Sequence, residues 1–159
     1  MTIAIRPARP DDLPLIARFI RELAEYEKLS HEVRFDEAVL GKNLFGPKPC
    51  ADVLIGELDG EPLGFAMFFQ TFSTFEGKPG IWLEDLYVRP EARGKGLGKA
   101  LLTDLARIAK ERDCTRFEWW VLDWNAPSIA FYRRLGAKPM DDWTIMRVDG
   151  NALERLAAS

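Results

Sequence analysis

The run Arg93-Gly94-Lys95-Gly96-Leu97-Gly98 constrains this chain most, because it stands between a strand-like stretch and a long helical one. Ahead of it, Ile81-Trp82-Leu83-Glu84-Asp85-Leu86-Tyr87-Val88 is rich in β-branched and aromatic residues, and Pro90 ends it. Behind it, Ala100, Leu101, Leu102, Leu105, Ala106, Ile108 and Ala109 recur at helical spacing, with Lys99, Asp104, Arg107, Lys110 and Glu111 on the other face. Glycines at 94, 96 and 98 remove the Cβ atoms that would hold a ligand off the backbone. Consecutive N–H groups can then converge on an anion at the positive end of the helix. The plain alternative is a glycine-rich turn that only caps a helix.

The better-known phosphate cradles do not fit the residues. A dinucleotide fingerprint begun at Gly94 finds Lys99 where its last glycine belongs. A Walker loop fails twice, since Ala100 follows Gly98-Lys99 and Arg93 occupies the position of the first glycine.

The rest of the chain narrows the function classes. At 159 residues it reads as one domain, 1–159, large enough for a substantial core. A formal net charge of −3 disfavours nucleic acid and mildly favours cationic small molecules. No apolar run approaches the roughly 20 residues that span a bilayer, and the N-terminus opens as an amphipathic strand, so the expectation is a cytoplasmic protein with no membrane partner. Cys50, Cys114 and the single His31 cannot build a zinc site, and no metal is expected. The two cysteines read as reduced thiols.

Along the chain, Thr2 to Arg6 alternates like a strand, and Pro10-Asp11-Asp12 offers an N-cap for a helix carrying Leu13, Ile16, Ile20, Leu23 and Ala24 on one face. Asp36 caps a second, short helix through Leu44. Ala51 to Leu58 and Pro62 to Phe72 read as strands joined by a hairpin at Asp59-Gly60. Thr115 to Leu122 reads as a strand after the long helix; Asn125 caps a helix through Leu135 that Gly136 ends; Asp141 to Asp149 reads as a last strand before a short helix. The order β-α-α-β-β-β-α-β-α-β-α predicts an α/β protein, a mixed sheet with helices on its faces.

The pattern R-x-x-G-x-G at Arg93, Gly96 and Gly98 resembles the pyrophosphate loop of the GNAT superfamily of N-acetyltransferases. The likeness extends over essentially the whole chain, from Ile5-Arg6-Pro7-Ala8 to Asn125-x-x-Ser128-x-x-Phe131-Tyr132-x-x-x-Gly136-Ala137. It implies the GNAT fold, a mostly antiparallel central sheet flanked by helices. Glu22-Leu23-Ala24-Glu25-Tyr26-Glu27, Gly64-Phe65-Ala66-Met67-Phe68-Phe69, Leu83-Glu84-Asp85-Leu86-Tyr87-Val88 and Trp124-Asn125-Ala126-Pro127-Ser128 resemble the diamine (spermidine/spermine) and thialysine acetyltransferase branch. The resemblance implies acetyl-CoA as acyl donor. Main-chain groups of Leu86, Tyr87 and Val88 would pair with its pantetheine arm, Arg93, Gly94, Lys95, Gly96, Leu97, Gly98 and Lys99 would form the pyrophosphate loop, and Asn125 and Ser128 would contact the distal CoA arm. It also implies a homodimer.

The resemblance also implies that Tyr132 would face the sulfur, and chemistry gives it a job there: a phenol with an ordinary pKa of about 10 is protonated at neutral pH and can protonate a leaving thiolate. An alkylammonium, with a pKa of about 10.4, must first lose a proton, and Glu84 is the candidate base, directly or through a water. A regular strand would send Asp85 to the opposite face. Tyr26, Glu27, Glu84, Glu118, Trp119 and Trp120 are candidates for the acceptor pocket, since carboxylates and aromatic faces both suit a cation. Tyr26-Glu27 reads equally as a polar helix terminus. Asp123 and the tryptophans at 119 and 120 depart from the diamine pattern, which typically carries Glu and smaller or aliphatic residues there. The expected activity is acetyl transfer, in a ternary complex, to a diamine, polyamine or lysine-like acceptor. Acetylation of a protein amine, or CoA sensing without chemistry, are the alternatives.

Overall fold

A computed structural model describes residues 1–159. It divides into two compact units, Met1–Leu122 and Asp123–Ser159, each described by itself.

The first unit carries a five-stranded sheet in sequence order: β1 (Ile3–Pro7), β2 (Asp52–Leu58), β3 (Glu61–Ser73), β4 (Lys78–Val88) and β5 (Arg116–Glu118). The first four strands are antiparallel and β5 joins β4 in parallel. This is the mixed, mostly antiparallel α/β architecture expected. Asp59 and Gly60 both take positive φ, 51° and 82°, the two-residue hairpin turn that matches strand twist.

Helix α1 (Leu13–Tyr26) lays Ile16, Phe19 and Leu23 on Val53 and Ile55 of β2, Phe65 and Met67 of β3 and Tyr87 of β4. The rings of Phe19 and Phe65 stack with centroids 5.5 Å apart. Burying side chains of this kind is worth about 1.5–3 kcal/mol each, which fixes the helix on that face of the sheet. Helix α2 (Glu37–Phe45) adds Leu44; the Asp36 carboxylate accepts the N–H groups of Ala38 and Val39, as its sequence position predicts. Helix α3 (Leu97–Glu111) covers the opposite face, where Gly56 lets Leu97 and Leu101 lie directly on β2. An added Cβ at Gly56 would stand 2.9 Å from Leu97 Cδ1.

The start of α1 differs from expectation. Pro10–Asp12 forms a 3-10 turn, and the Asp12 side chain does not cap α1. Its carboxylate instead pairs with the Arg6 guanidinium at 2.8 Å and accepts the Arg9 N–H at 2.7 Å, while Arg6 Nε donates to Glu57 at 2.7 Å. Both carboxylate oxygens are thus taken, by the Arg6 guanidinium and by the Arg9 N–H of the preceding turn, and none is left for the first N–H groups of α1. The strand expected over 115–122 is also shorter, because β5 pairs only along Arg116–Glu118.

In the second unit Asn125 Oδ1 accepts the Ser128 N–H at 3.4 Å and opens α4 (Ala126–Arg134), while Gly136, at φ 97°, follows its end. Residues 141–149 form no strand, contrary to their alternating pattern; Trp143, Ile145, Met146 and Val148 are exposed. Alternation specifies which side chains share a face, but a strand exists only where its N–H and C=O groups find a ladder, and this segment has none. Helix α5 (Gly150–Ala157) closes the chain.

Candidate functional site

The site is built on β4. Its β3 side is paired along the strand, whereas β5 accompanies it only from Gly80 to Trp82. Beyond Trp82 no strand lies on that side, so the main chain from Leu83 onward keeps an edge without strand partners, which contains the expected pantetheine-pairing residues Leu86, Tyr87 and Val88; at its end the Val88 carbonyl is taken by Arg93 Nε. A row of unpaired N–H and C=O groups is a template for an extended ligand. The Tyr87 side chain itself is core, packed on Phe19 with its phenol pushed up by burial.

β4 is not regular. Met67 pairs with Asp85 and the next residue, Phe68, pairs with Leu83, so Glu84 is an extra residue, a β-bulge. Met67 and Phe69 lie on one face of β3, and their partners Asp85 and Trp82 share that face although they are three positions apart. Even alternation would have separated them. The face is the one α1 covers, since Phe65, Met67 and Tyr87 belong to it.

Glu84 is exposed, and its Oε2 accepts the Trp82 indole N–H at 3.0 Å. The Trp82 ring meets Trp120 edge-on at 5.8 Å, and Glu118 pairs with Trp82 across the β4–β5 ladder. These residues line one side of the sheet. Trp119 does not join them: it packs at 5.0 Å on Phe117, whose partner Ile81 belongs to the buried, opposite face. Asp85, which strict alternation predicted on the other face, is partly buried beside Glu84. Burial first, then the charges of Glu84 and Glu27, push its carboxyl up to about 7. No cation offsets those effects.

Glu27 follows α1 directly and is itself pushed up by burial. It sits at the negative end of the helix dipole, where an anion is disfavoured and a cation favoured. Two arginines hold this end of α1 on β4. Arg89 Nε pairs with Glu22 at 3.1 Å with its guanidinium over Phe19, and the Arg93 guanidinium lies 5.0 Å from the Tyr26 ring and 5.8 Å from that of Tyr87. Arg93 Nε also donates to the Val88 carbonyl at 2.9 Å. Arg93, expected with the pyrophosphate loop, is thus engaged at the root of that loop.

The loop has the form a phosphate needs. Gly94 and Gly96 take φ 75° and 91°, which side chains rarely adopt, and a Cβ at Gly94 would point into open space. Gly96 opens α3 with no side-chain cap, leaving the first N–H groups of the helix, from Leu97, Gly98 and Lys99, for an anion. Lys95 and Lys99 are exposed beside it. This cradle fits the pyrophosphate of a CoA thioester. In the second unit, α4 brings Tyr132 against Phe131, rings 5.6 Å apart, about one turn beyond Ser128 and two beyond Asn125.

Sequence reasoning missed Asp85 and Trp82. The spacing Trp82-x-Glu84 allowed an indole–carboxylate bond, but nothing in the residues announces the bulge.

Residues 16–137 match the model of the Acetyltransferase (GNAT) family. The thialysine N-epsilon-acetyltransferase of Sus scrofa is 38% identical over 98% of this chain and 98% of its own length. The L-ornithine N5-acetyltransferase of Arabidopsis thaliana is 29% identical over 96% of this chain and 86% of its own. Among solved structures, an integron cassette protein from the mobile metagenome of V. cholerae superposes with a TM-score of 0.82 at 29% identity, covering 100% of this chain and 99% of that one.

Proposed function

The chain belongs to the GNAT acetyltransferase family and is an N-acetyltransferase, and from that premise we propose that it acetylates a primary amine of a small molecule bearing a second charged group, a diamine, polyamine or lysine-like amino acid. The observation that carries the reading is the acidic and aromatic surface beside the open edge of β4. Glu84, Asp85, Glu118, Trp82 and Trp120 share one side of the sheet, Glu27 bears on it from the end of α1, and no protein cation neutralises Asp85. Such a surface attracts cations and holds them with carboxylates and ring faces. The relatives whose names specify lysine-like or ornithine acceptors support the same class.

Acetyl-CoA would supply the activated acyl group, with the glycine loop and first turn of α3 on its pyrophosphate, the main-chain edge at Leu86 to Val88 on its arm, and Asn125 and Ser128 on its distal part. The chain's residues would then move protons. An ammonium acceptor gives one proton to a carboxylate of the Glu84–Asp85 pair, the freed amine attacks, and Tyr132 protonates the departing sulfur. The transfer would be direct, in a ternary complex, and the working unit a homodimer.

The test is mass-spectrometric detection of acetylated product across a panel of diamines, polyamines, basic amino acids, neutral amines and peptide amines with acetyl-CoA. Preference for small dications or lysine-like amino acids is expected. Preference for neutral amines or peptides would overturn the acceptor assignment, and light scattering at one-chain mass would overturn the dimer.

A further inference from the structure

Where β5 stops, two tryptophans close the end of the β4 edge. The β4–β5 ladder finishes at the pair Trp82–Glu118, and Trp120 stands two residues further on, on the side that Glu118 occupies. The rings of Trp82 and Trp120 meet at 77° with centroids 5.8 Å apart, and Trp120 keeps 45% of its surface exposed. Rings that meet edge-on cannot cover each other's faces as stacked rings do, so the pair forms an open aromatic corner. All of these residues lie in the first unit. Building on the acetyl-transfer reading above, we propose that the Trp82–Trp120 corner seats the acceptor's second cation through ring faces rather than hydrogen bonds. The acceptor class that follows is a primary amine whose distal nitrogen is alkylated, from secondary amine to quaternary ammonium.

Position supports the seat. The edge expected to carry the donor arm runs from the glycine loop back to Leu83, and the corner stands at its far end. Hydrogen-bonding capacity supports reading by ring faces. An indole has one donor, its N–H, and in Trp82 that donor is committed to Glu84 Oε2 at 3.0 Å. Toward a ligand this side chain therefore offers its ring and no further donor, and the same bond fixes the ring's orientation.

Charge supports a cation. Glu84 and Glu118 flank the corner, whereas the cations of this face, Lys78 and Arg116, lie toward the start of the two strands and already face Asp113 at 3.2 Å and Glu76 at 4.0 Å. An aromatic face attracts an ammonium within about 6 Å of the ring centroid and needs no N–H from it. Alkyl groups on the nitrogen weaken its hydration, which lowers the cost of leaving water, and they add apolar contact with the rings. Carboxylates act in the opposite sense, since each methyl group removes a hydrogen bond they could accept. Trp120 is also a position where the chain departs from the diamine pattern, with an indole in place of a smaller or aliphatic side chain.

The experiment uses the full-length protein and four primary amines on one three-carbon chain, ending in an amino, methylamino, dimethylamino or trimethylammonium group. The compound 4,4-dimethylpentylamine is the uncharged isostere of the last. KM should hold or fall from the first acceptor to the last, and the isostere should show a KM about 2–30-fold above that of the trimethylammonium compound. Trp120→Leu should raise KM for the trimethylammonium acceptor by about the same factor and raise it less for the isostere, and Trp120→Phe should restore most of the loss because a ring face returns. Calorimetry of the trimethylammonium compound on CoA-loaded protein measures the seat without turnover, and should show the same weakening in Trp120→Leu. Unchanged CoA affinity in both variants checks that they fold. A KM that climbs with each methyl group, or a Trp120→Leu effect equal for the charged and uncharged acceptors, overturns the proposal. If no cationic amine is acetylated while calorimetric binding still depends on Trp120, the functional reading fails and the corner stands; if acetylation occurs and binding ignores Trp120, only the corner fails.

Discussion

Asp85→Asn is expected to stabilise the protein at pH 8 and to change its stability little at pH 4. The folded chain keeps the Asp85 proton up to about 7, whereas the unfolded chain releases it near ~3.9. Between those values the folded state binds the extra proton, so wild-type stability falls as pH rises through this window, and the loss is complete once pH passes the folded value. About three pH units at ~1.4 kcal/mol each set a ceiling of about 4 kcal/mol at pH 8, and water reaching the exposed Glu84 side brings the expectation to about 2–4 kcal/mol. Asparagine has nearly the same shape, carries no charge and escapes this cost. Urea unfolding of both proteins at pH 4, 6 and 8, with equal m-values, measures the difference directly. A stability gap that is the same at all three pH values would refute the account, since the Asp85 carboxyl would then titrate alike in both states. A gap opening toward low pH would reverse the sign of the argument.

Gly98→Ala separates loop chemistry from folding. Gly98 lies in the first turn of α3 with no left-handed φ, and an added Cβ would make only an ordinary 3.7 Å contact with Val88 Cγ2. Alanine should therefore stabilise the free protein by up to about 1 kcal/mol through helix propensity, a rise of about 2–4 °C in Tm for a chain of this size, yet weaken CoA binding in calorimetry by crowding the pyrophosphate. Higher stability with unchanged affinity would remove Gly98 from the cradle. Tyr132→Phe should lower kcat by about 10²–10⁴-fold with little change in KM for acetyl-CoA, the result expected if the hydroxyl has the proposed role of protonating the departing sulfur; wild-type turnover would make Tyr132 a packing residue.

Much of this protein was already legible in its residues. The glycine loop, the Asp36 and Asn125 caps, the Asp59-Gly60 turn and the order of elements depend on local chemistry: which backbone angles a residue tolerates, which side chain can reach the next N–H, which positions repeat at helical or strand spacing. Those constraints act within a few residues, so sequence carries them. The candidate acceptor face depended on something else. Whether Glu84 and Asp85 share a side is decided by the register between β3 and β4, a property of two strands meeting and of neither alone. A single extra residue there brings Asp85 to the α1 face and hands the Trp82 indole to Glu84. The same holds where expectation failed. Asp12 went to Arg6, distant groups competing for one carboxylate, and the alternating residues 141–149 stayed without a strand for want of a ladder. Side-chain identity sets what each residue can do; only tertiary pairing decides which partners it meets, and in β4 that decided which acid is withdrawn from water and titrates near neutrality.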